Sequence, residues 1–315
     1  MLYDLIIIGG GPAGVAAGIY AARKKLKGLL ITDLIGGQGV VSRDIQNFVG
    51  IKSISGLNFA KALKEHLEAN KETEFIEGDL VAEIKKDQKG FKVLTQKGKI
   101  FYSTTVLVAS GSRHKKINIP GEKDFDGRGV FYCSICDAPL MKNKVTAVIG
   151  GGNSGFEAAL DLLPYASKIY ILEYTDKLAA DQVTQDKVKK SKKVEIITMA
   201  EVKEICGDQF VKSLKYQDRR TGKTKELILK GVFASVGYSP NSEVAKNLVE
   251  LNKNKEIIVD HKTQETSVKG IWAAGDVIDG LYRQMDIAIG DAIKATLNID
   301  KYLYILRIKQ PSKKI

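Results

Sequence analysis

Two stretches of the chain share one pattern of apolar and glycine positions. Leu5–Ile8 and Thr146–Ile149 are short runs rich in β-branched residues, which are typical of buried strands in a parallel sheet. Each run enters a glycine-rich turn, and the segments Val15–Arg23 and Phe156–Leu163 then follow with helical spacing. A further apolar run closes each motif. The pattern therefore predicts two βαβ motifs and an α/β fold.

The two glycine turns align without a gap, with Leu5 matched to Thr146 at an offset of 141 residues. In both turns the first glycine permits a tight bend, the second lets the backbone approach a pyrophosphate, and the third lets helix and strand pack closely. The helix then directs N–H groups and its positive dipole end at the phosphates. These glycines are Gly9, Gly11 and Gly14 in the first turn and Gly150, Gly152 and Gly155 in the second.

Two such turns predict two bound dinucleotides, and the usual pair is FAD with NAD(P)H. An acidic residue at the end of the second strand binds a ribose hydroxyl and repels the 2′-phosphate of NADPH. Glu173 has this position in the second motif, in a stretch whose only cation is Lys177, and this favours NADH over NADPH. Asp33 has the matching role for FAD, although it lies one position later in the alignment.

A Cys-x-x-Cys pair, Cys133 and Cys136, lies shortly before the second motif. The spacing suits a redox dithiol or half of a metal site. A zinc site needs four ligands, however, and the three histidines are scattered singly, so we expect a disulfide/dithiol couple beside a flavin and no metal. Asp137 is either a proton shuttle for thiolate chemistry or an acid that caps a helix or turn.

The composition of the chain limits the classes of function. Its 315 residues favour two domains, and with 44% hydrophobic residues it has no apolar run long enough for a membrane span. The formal charge of +12 comes from dispersed Lys and Arg, which favours a solvated surface or an acidic partner over nucleic acid. Three cysteines and the lack of a leader at the N-terminus favour the reducing cytoplasm.

In the order of its motifs, the chain resembles the low-molecular-weight thioredoxin reductase family over essentially its whole length. The resemblance implies two Rossmann-like, three-layer ββα dinucleotide-binding domains. The nicotinamide domain, residues 114–242, would be inserted in a discontinuous FAD domain of residues 1–113 and 243–315. Beyond the turns and the dithiol, the shared segments are Gly36-Gly-Gln38 with Asn47 downstream, Ala109-Ser-Gly111, Gly231-Val-Phe-Ala-Ser-Val-Gly-Tyr-Ser-Pro-Asn241, Ala273-Ala-Gly-Asp276 and Tyr282-Arg-Gln284.

The resemblance also implies roles for these residues. Cys136 would face the flavin, and Cys133 would exchange with the partner. The family is usually homodimeric and swings one domain against the other, which here implies hinges near Ser112–Lys116 and Pro240–Val244. The FAD residues would be Gly9, Gly11, Pro12, Ala13, Gly14, Asp33, Gly37, Gln38, Asn47, Ala109, Gly111, Gly275, Asp276, Arg283 and Gln284; the NAD(P)H residues would be Gly150, Gly152, Asn153, Ser154, Gly155, Glu173 and Gly237.

The chain departs from this family after the second strand of the second motif. NADPH-binding members carry an arginine-rich segment there, whereas this chain has Glu173-Tyr-Thr-Asp176. The stretch Ile171–Lys187 is more similar to the flavoprotein subunit of alkyl hydroperoxide reductase, which uses NADH. That subunit carries an extra N-terminal thioredoxin-like domain, so we expect a relay domain for this chain to be a separate protein. Ala138 also stands where glycine is usual.

These inferences combine into one hypothesis. Electrons pass from NADH through FAD to the Cys133–Cys136 dithiol, and from there to the disulfide of a thioredoxin- or glutaredoxin-like protein. Two alternatives stay open. One is an FAD-dependent dithiol oxidase or NADH oxidase that passes electrons to oxygen, and the other is a non-enzymatic redox sensor.

Overall fold

The computed structural model describes residues 1–42 and 45–309, and these form two compact units. The first unit combines residues 1–113 with the chain from Ser239 onward, and the second comprises His114–Tyr238. The second unit is therefore an insertion in the first. Across the described ranges, no helix is both long and apolar enough to cross a lipid bilayer.

The first unit is built on one mixed sheet. Its strands are β1 (Leu2–Ile8), β2 (Gly28–Thr32), β3 (Thr73–Glu77), β4 (Val81–Asp87), β5 (Gly90–Thr95), β6 (Ile100–Val108) and β17 (Ile271–Ala273). The strand order is β3-β2-β1-β6-β5-β4, and β17 also pairs with β6. The pairs β3–β2, β2–β1, β1–β6 and β6–β17 are parallel, whereas the pairs β6–β5 and β5–β4 are antiparallel.

Two apolar layers cover this sheet. Leu5 and Ile7 pack with helices α1 (Pro12–Arg23) and α6 (Met285–Lys309), while Ile6 and Ile8 pack with β4, β5 and residues 245–278 on the opposite face. Because strand side chains alternate between faces, β1 is buried on both sides and forms a continuous apolar run. Helix α2 (Gly56–Glu68) and a short 3-10 helix (Gly37–Val41) complete the unit.

The second unit has three layers. A parallel sheet in the order β11-β10-β9-β15-β8 lies between helices on one face and the antiparallel sheet β12-β13-β14 on the other. This confirms the predicted α/β class. The elements are β8 (Val130–Phe131), α3 (Ser134–Asp137), a 3-10 helix (Ala138–Met141), β9 (Val145–Ile149), α4 (Asn153–Leu162), β10 (Lys168–Leu172), α5 (Gln182–Lys189), β11 (Val194–Ile197), β12 (Ala200–Gly207), β13 (Val211–Asp218), β14 (Thr224–Ile228) and β15 (Gly231–Ala234). Strands β7 (Ser112–His114) and β16 (Tyr238–Pro240) form a separate pair.

The repeat seen in the sequence is also a repeat in the structure. Ile8 pairs with Ile31, and Ile149 pairs with Leu172, so the two βαβ motifs share one register. Both helices begin earlier than predicted, inside the glycine turn, at Pro12 and Asn153. Proline fits this first helical position because the N–H that it lacks would have no partner within the helix.

Candidate functional site

The first glycine turn is shaped for close backbone approach. Gly9 has φ +108°, and a Cβ on Gly14 would lie 1.8 Å from the carbonyl oxygen of Gly9, so neither position accepts a side chain. Gly11 is the N-cap of α1, and a Cβ there would meet no atom within 4 Å. The turn therefore leaves open space in front of the helix N-terminus, which fits a pyrophosphate.

The second turn repeats this geometry. Gly150 has φ +119°, a Cβ on Gly155 would lie 1.9 Å from the oxygen of Gly150, and a Cβ on Gly152 would again meet nothing within 4 Å. The side chain of Asn153 bonds to the N-cap residue of α5: its Oδ1 accepts a 2.7 Å hydrogen bond from the backbone N–H of Asp181. Ser154 is exposed in the first turn of α4.

Glu173 is fixed at the carboxyl end of β10 by hydrogen bonds to both carboxylate oxygens. Oε2 accepts from the N–H of Gly151 at 2.7 Å, and Oε1 accepts from the N–H and the hydroxyl of Thr175, each at 2.8 Å. The carboxylate thus lies beside the glycine turn, where an adenosine ribose would bind.

The equivalent position in the first motif is Thr32 rather than Asp33. A Cβ on Gly10 would collide with the Thr32 side chain, just as one on Gly151 would collide with Glu173. Asp33 is the next residue, and it is exposed. The constant offset of 141 residues, carried beyond the glycines, is the signal in the sequence that indicates Thr32.

The structure brings several of the predicted FAD residues to one edge of the first sheet. Ala109 follows β6, and its oxygen lies 2.4 Å from where a Cβ on Gly9 would be. Gly37 lies against Gly11, and Gly275 lies against Ala13. Gly111 and Gly275 both have positive φ, of +68° and +76°, and so these turns favour glycine.

Four of the polar residues predicted for FAD take part in two separate groups of hydrogen bonds in this unit. The Gln38 amide donates to the carbonyl oxygen of Ser112, whose hydroxyl donates to Oδ2 of Asp276 at 3.3 Å. Asn47 Nδ2 donates to Gln284 Oε1 at 3.0 Å. Asp276 also lines a cavity of about 260 Å³ in this unit. Burial raises the pKa of the Asp276 carboxyl, and the Arg283 charge and the Ser112 hydroxyl oppose that rise.

Arg283 forms an ion pair with Glu256, a residue that the sequence does not single out. Glu256 is buried, and its position in the sequence gives no sign of this pairing. In the described structure the Arg283 guanidinium is therefore held by a carboxylate within the first unit.

The dithiol is present as a disulfide between Cys133 and Cys136, with Cα atoms 5.3 Å apart. Cys133 is the N-cap of α3, and its Sγ accepts from the N–H of Cys136 at 3.3 Å. Both cysteines are half-buried, and Ile135 between them is exposed. Ser134 donates a 2.7 Å hydrogen bond to Asp161 of α4, which fixes this short helix to the unit. Asp137 is half-buried and ends α3.

Three aromatic rings, not singled out in the sequence, lie next to this turn. The His114 ring is 5.1 Å from Tyr132 and 4.6 Å from Tyr238, and Tyr132 directly precedes Cys133. Burial lowers the pKa of His114 to about 4, so the ring is neutral at physiological pH. Gly237, beside Tyr238, has φ +95° and accepts the N–H of Lys115 at 2.9 Å.

Comparisons with known proteins agree with this architecture. Residues 3–292 match the family described as Pyridine nucleotide-disulphide oxidoreductase. One subunit of alkyl hydroperoxide reductase in Staphylococcus aureus is 39% identical over 301 residues, which are 96% of this chain and 59% of that protein. NADH dehydrogenase from Bacillus subtilis is 40% identical over 302 residues, 96% of this chain and 58% of that protein. This chain thus spans less than two thirds of either relative's length.

Solved structures extend the comparison to the fold. Thioredoxin reductase from Streptococcus pyogenes has a TM-score of 0.88 and 34% identity, covering 96% of this chain and 99% of that one. Thioredoxin reductase from Giardia duodenalis has a TM-score of 0.87 and 32% identity over the same shares. The resemblance inferred from the motifs is confirmed, and the chain belongs to the pyridine nucleotide-disulphide oxidoreductase family, within which it is similar to the thioredoxin reductases.

Proposed function

We propose that the chain reduces the disulfide of a thioredoxin- or glutaredoxin-like protein with electrons from NADH, through FAD and the Cys133–Cys136 dithiol. Family membership implies FAD and a nicotinamide dinucleotide as cofactors. The observation that carries the proposal is the Cys133–Cys136 disulfide, which lies in the same unit as a complete dinucleotide turn. Similarity to proteins named thioredoxin reductase supports the choice of acceptor.

The first unit would hold FAD. The open space in front of Gly11 fits the pyrophosphate, and the hydroxyl–carboxylate pair of Ser112 and Asp276 offers polar groups for the ribityl side. Asn47 and Gln284 would contact the ring system together. A bound flavin supplies two-electron transfer between a nicotinamide and a disulfide. Residues 1–113 and 243–315 would thus be the FAD domain.

The second unit would hold NADH. Glu173 is a fixed carboxylate beside the Gly150–Gly155 turn, so it can accept hydrogen bonds from ribose hydroxyls and would repel a 2′-phosphate. The relative from Bacillus subtilis is named an NADH dehydrogenase, which supports this choice of donor. Residues 114–242 would be the nicotinamide domain, with hinges at the two crossings between the units.

Electrons reach the partner by disulfide exchange between the sulfurs of this chain and those of the partner. The Cys133–Cys136 disulfide takes up two electrons and two protons and opens to two thiols. The Cys133 thiolate then attacks a sulfur of the partner disulfide, so that a mixed disulfide forms and one partner thiolate leaves. The Cys136 thiolate attacks Cys133, which releases the second partner thiolate and re-forms the original disulfide. Asp137 would exchange the protons.

The N-terminus of α3 favours this assignment of roles. Cys133 accepts the N–H of Cys136, and a hydrogen bond to sulfur stabilises a thiolate there. Asp137 is the last residue of the same turn, and we assign to it the transfer of protons to and from the sulfurs. We further propose that the enzyme is a homodimer, as the resemblance to its family implies. We also propose that it is cytoplasmic, since a dithiol of this kind works in a reducing compartment.

Anaerobic titration with NADH tests the relay. The flavin absorbance should bleach, two thiols per chain should form, and a thioredoxin-like disulfide should then be reduced. Cys133→Ser should keep the first half, reduction of flavin by NADH, and lose reduction of the protein disulfide. Full disulfide-reductase activity in Cys133→Ser would show that the relay is wrong.

A second candidate is direct electron transfer from NADH to oxygen. The similarity to a protein named NADH dehydrogenase favours it, because that name specifies no disulfide acceptor. Steady consumption of NADH and oxygen without any protein disulfide, at an equal rate in Cys133→Ser, would support this function over the reductase.

A further inference from the structure

A cavity of about 330 Å³ lies in the second unit at the carboxyl ends of β9 and β10. Gly150 of the glycine turn and Glu173 line one side, and Ile149 and Leu172 lie at the strand ends. Ligands of open α/β sheets bind at this edge, and the volume is at the lower end of the range of about 300 to 1,000 Å³ typical of ligand sites. The cavity therefore suits one part of a dinucleotide, next to its ribose and pyrophosphate.

The walls of the cavity indicate which part. Most of the lining residues are apolar, including Ala200, Val202 and Val236, and Tyr174 lines the cavity next to Glu173. A flat heterocycle is better suited to such walls than a phosphate or a ribose, which need polar partners. Since Glu173 marks the adenosine ribose, the ring attached to that ribose is the adenine.

Tyr174 is held by a residue from a distant hairpin. The Arg219 guanidinium carbon lies 4.0 Å from the centre of the Tyr174 ring, and Nη1 donates a 3.0 Å hydrogen bond to the carbonyl oxygen of Tyr174. Arg219 also donates its backbone N–H to Met199 at 2.8 Å, which fixes the turn between β13 and β14 beside the cavity. One face of the tyrosine is thus covered by a cation, yet the residue keeps 52% of its surface exposed.

We propose that Tyr174 is the stacking platform for the adenine of NADH and that Arg219 is a positioning residue that holds this platform. The inference rests on the proposed function, because it takes NADH as the ligand of the second unit. A ring with a guanidinium on one face can stack a purine on the other. The hairpin β13–β14 thereby contributes to nucleotide affinity without contacting the reacting nicotinamide.

Flavin reduction in the holoenzyme tests this assignment, with NADH and with reduced nicotinamide mononucleotide, which lacks adenosine. In Tyr174→Leu and Arg219→Ala, we expect half-saturation by NADH to need about 5- to 100-fold more nucleotide, as loss of base–aromatic stacking predicts. The limiting rate and the response to the mononucleotide should not change. Tyr174→Phe should bind NADH almost as wild type does, because it keeps the ring.

Arg220→Ala is the matched control. Arg220 lies in the same turn, but its guanidinium donates to the carbonyl oxygen of Thr198 at 2.7 Å instead of covering Tyr174. It should bind NADH as wild type does. Unchanged half-saturation by NADH in both Tyr174→Leu and Arg219→Ala would overturn the proposal, and so would an equal loss with the mononucleotide.

Calorimetry with ADP-ribose separates this proposal from the proposed function. If wild type is not reduced by NADH, the proposed function is wrong, and ADP-ribose binding still decides the role of Tyr174. Binding that is weakened in Tyr174→Leu and Arg219→Ala but kept in Arg220→Ala supports the platform. Binding that is equal in all these variants overturns it.

Discussion

Asn47 and Gln284 are 237 residues apart in the chain, and the Asn47 amide donates a 3.0 Å hydrogen bond to the Gln284 carbonyl oxygen. The bond joins the loop before α2 to the residue before α6. Both residues belong to the set predicted to contact FAD. Two amides that hold each other in place lower the cost of ordering these groups in a binding site.

Loss of this pair should weaken FAD binding. In Asn47→Ala, we expect the Kd for FAD to rise about 2- to 10-fold, because one hydrogen bond contributes about 0.5 to 1.5 kcal/mol. Flavin fluorescence during titration of the apoprotein measures this. Asn254→Ala, at an exposed position of the same unit, serves as the control. Equal affinities for FAD in the two variants would show that Asn47 does not contribute to FAD binding.

Asp276→Asn should have opposite effects on the apoprotein and on FAD binding. Burial raises the folded-state pKa of Asp276, so stability falls as pH rises from the unfolded value of 3.8 through the raised one. Asparagine removes this penalty, and the Tm of the apoprotein at neutral pH should rise. The Kd for FAD should increase about 10-fold or more, because a hydrogen bond to a charged group is lost. A lower apoprotein Tm would contradict the pKa argument.

The two βαβ motifs show how much of the fold could be predicted from the sequence. The two glycine turns predict the parallel strands, their helices and the positions where a Cβ does not fit, because each depends on contacts within one motif. The offset of 141 residues makes Thr32 the equivalent of Glu173, whereas the acidic side chain next to it, Asp33, stays the predicted ribose ligand of the first motif. Local patterns therefore predict the backbone of the candidate site better than the identity of each side chain in it.

Contacts between distant segments could not be predicted in this way. The Arg283–Glu256 pair, the His114–Tyr132–Tyr238 rings and the Arg219–Tyr174 stack each join residues from different elements. Nothing in the local spacing of these residues differs from that of a solvated surface. The stretch after Glu173 contains no arginine, but the fold brings Arg219 to it from 45 residues away.

His114 should make stability depend on pH below neutrality. Burial lowers its folded pKa from 6.5 to about 4, so the unfolded chain binds the proton more tightly. Stability from this group is present above pH 6.5 and is lost as pH falls toward about 4. The loss should be about 1 to 3 kcal/mol, discounted for the solvent that reaches the half-buried ring. Denaturant unfolding of wild type and His114→Phe across this window measures it, and parallel curves for the two would refute the assignment.

Glu173→Gln should relax the choice of nucleotide. Removing the carboxylate removes the repulsion of a 2′-phosphate, so the KM for NADPH should fall about 10-fold or more, since apposed like charges cost several kcal/mol. The KM for NADH should rise, because one ribose acceptor is weakened. Glu157→Gln, an exposed acid on α4, is the control for a simple change of net charge. An unchanged ratio of the two KM values in Glu173→Gln would show that this carboxylate does not select the nucleotide.

Cys136→Ser should accumulate a mixed disulfide on Cys133. The variant keeps the partner-facing thiol that we assign and removes the thiol that resolves the complex, so the attack on a partner disulfide stops after one exchange. Incubation with an oxidised thioredoxin-like protein, followed by non-reducing electrophoresis and peptide mapping, identifies the bond. Cys133→Ser should trap far less, because Cys136 would face the flavin. Cys206 is half-buried and outside the disulfide, so Cys206→Ser should behave as wild type. Equal trapping by both single variants of the dithiol would mean that either sulfur can reach the partner, and the division of roles between them would be wrong.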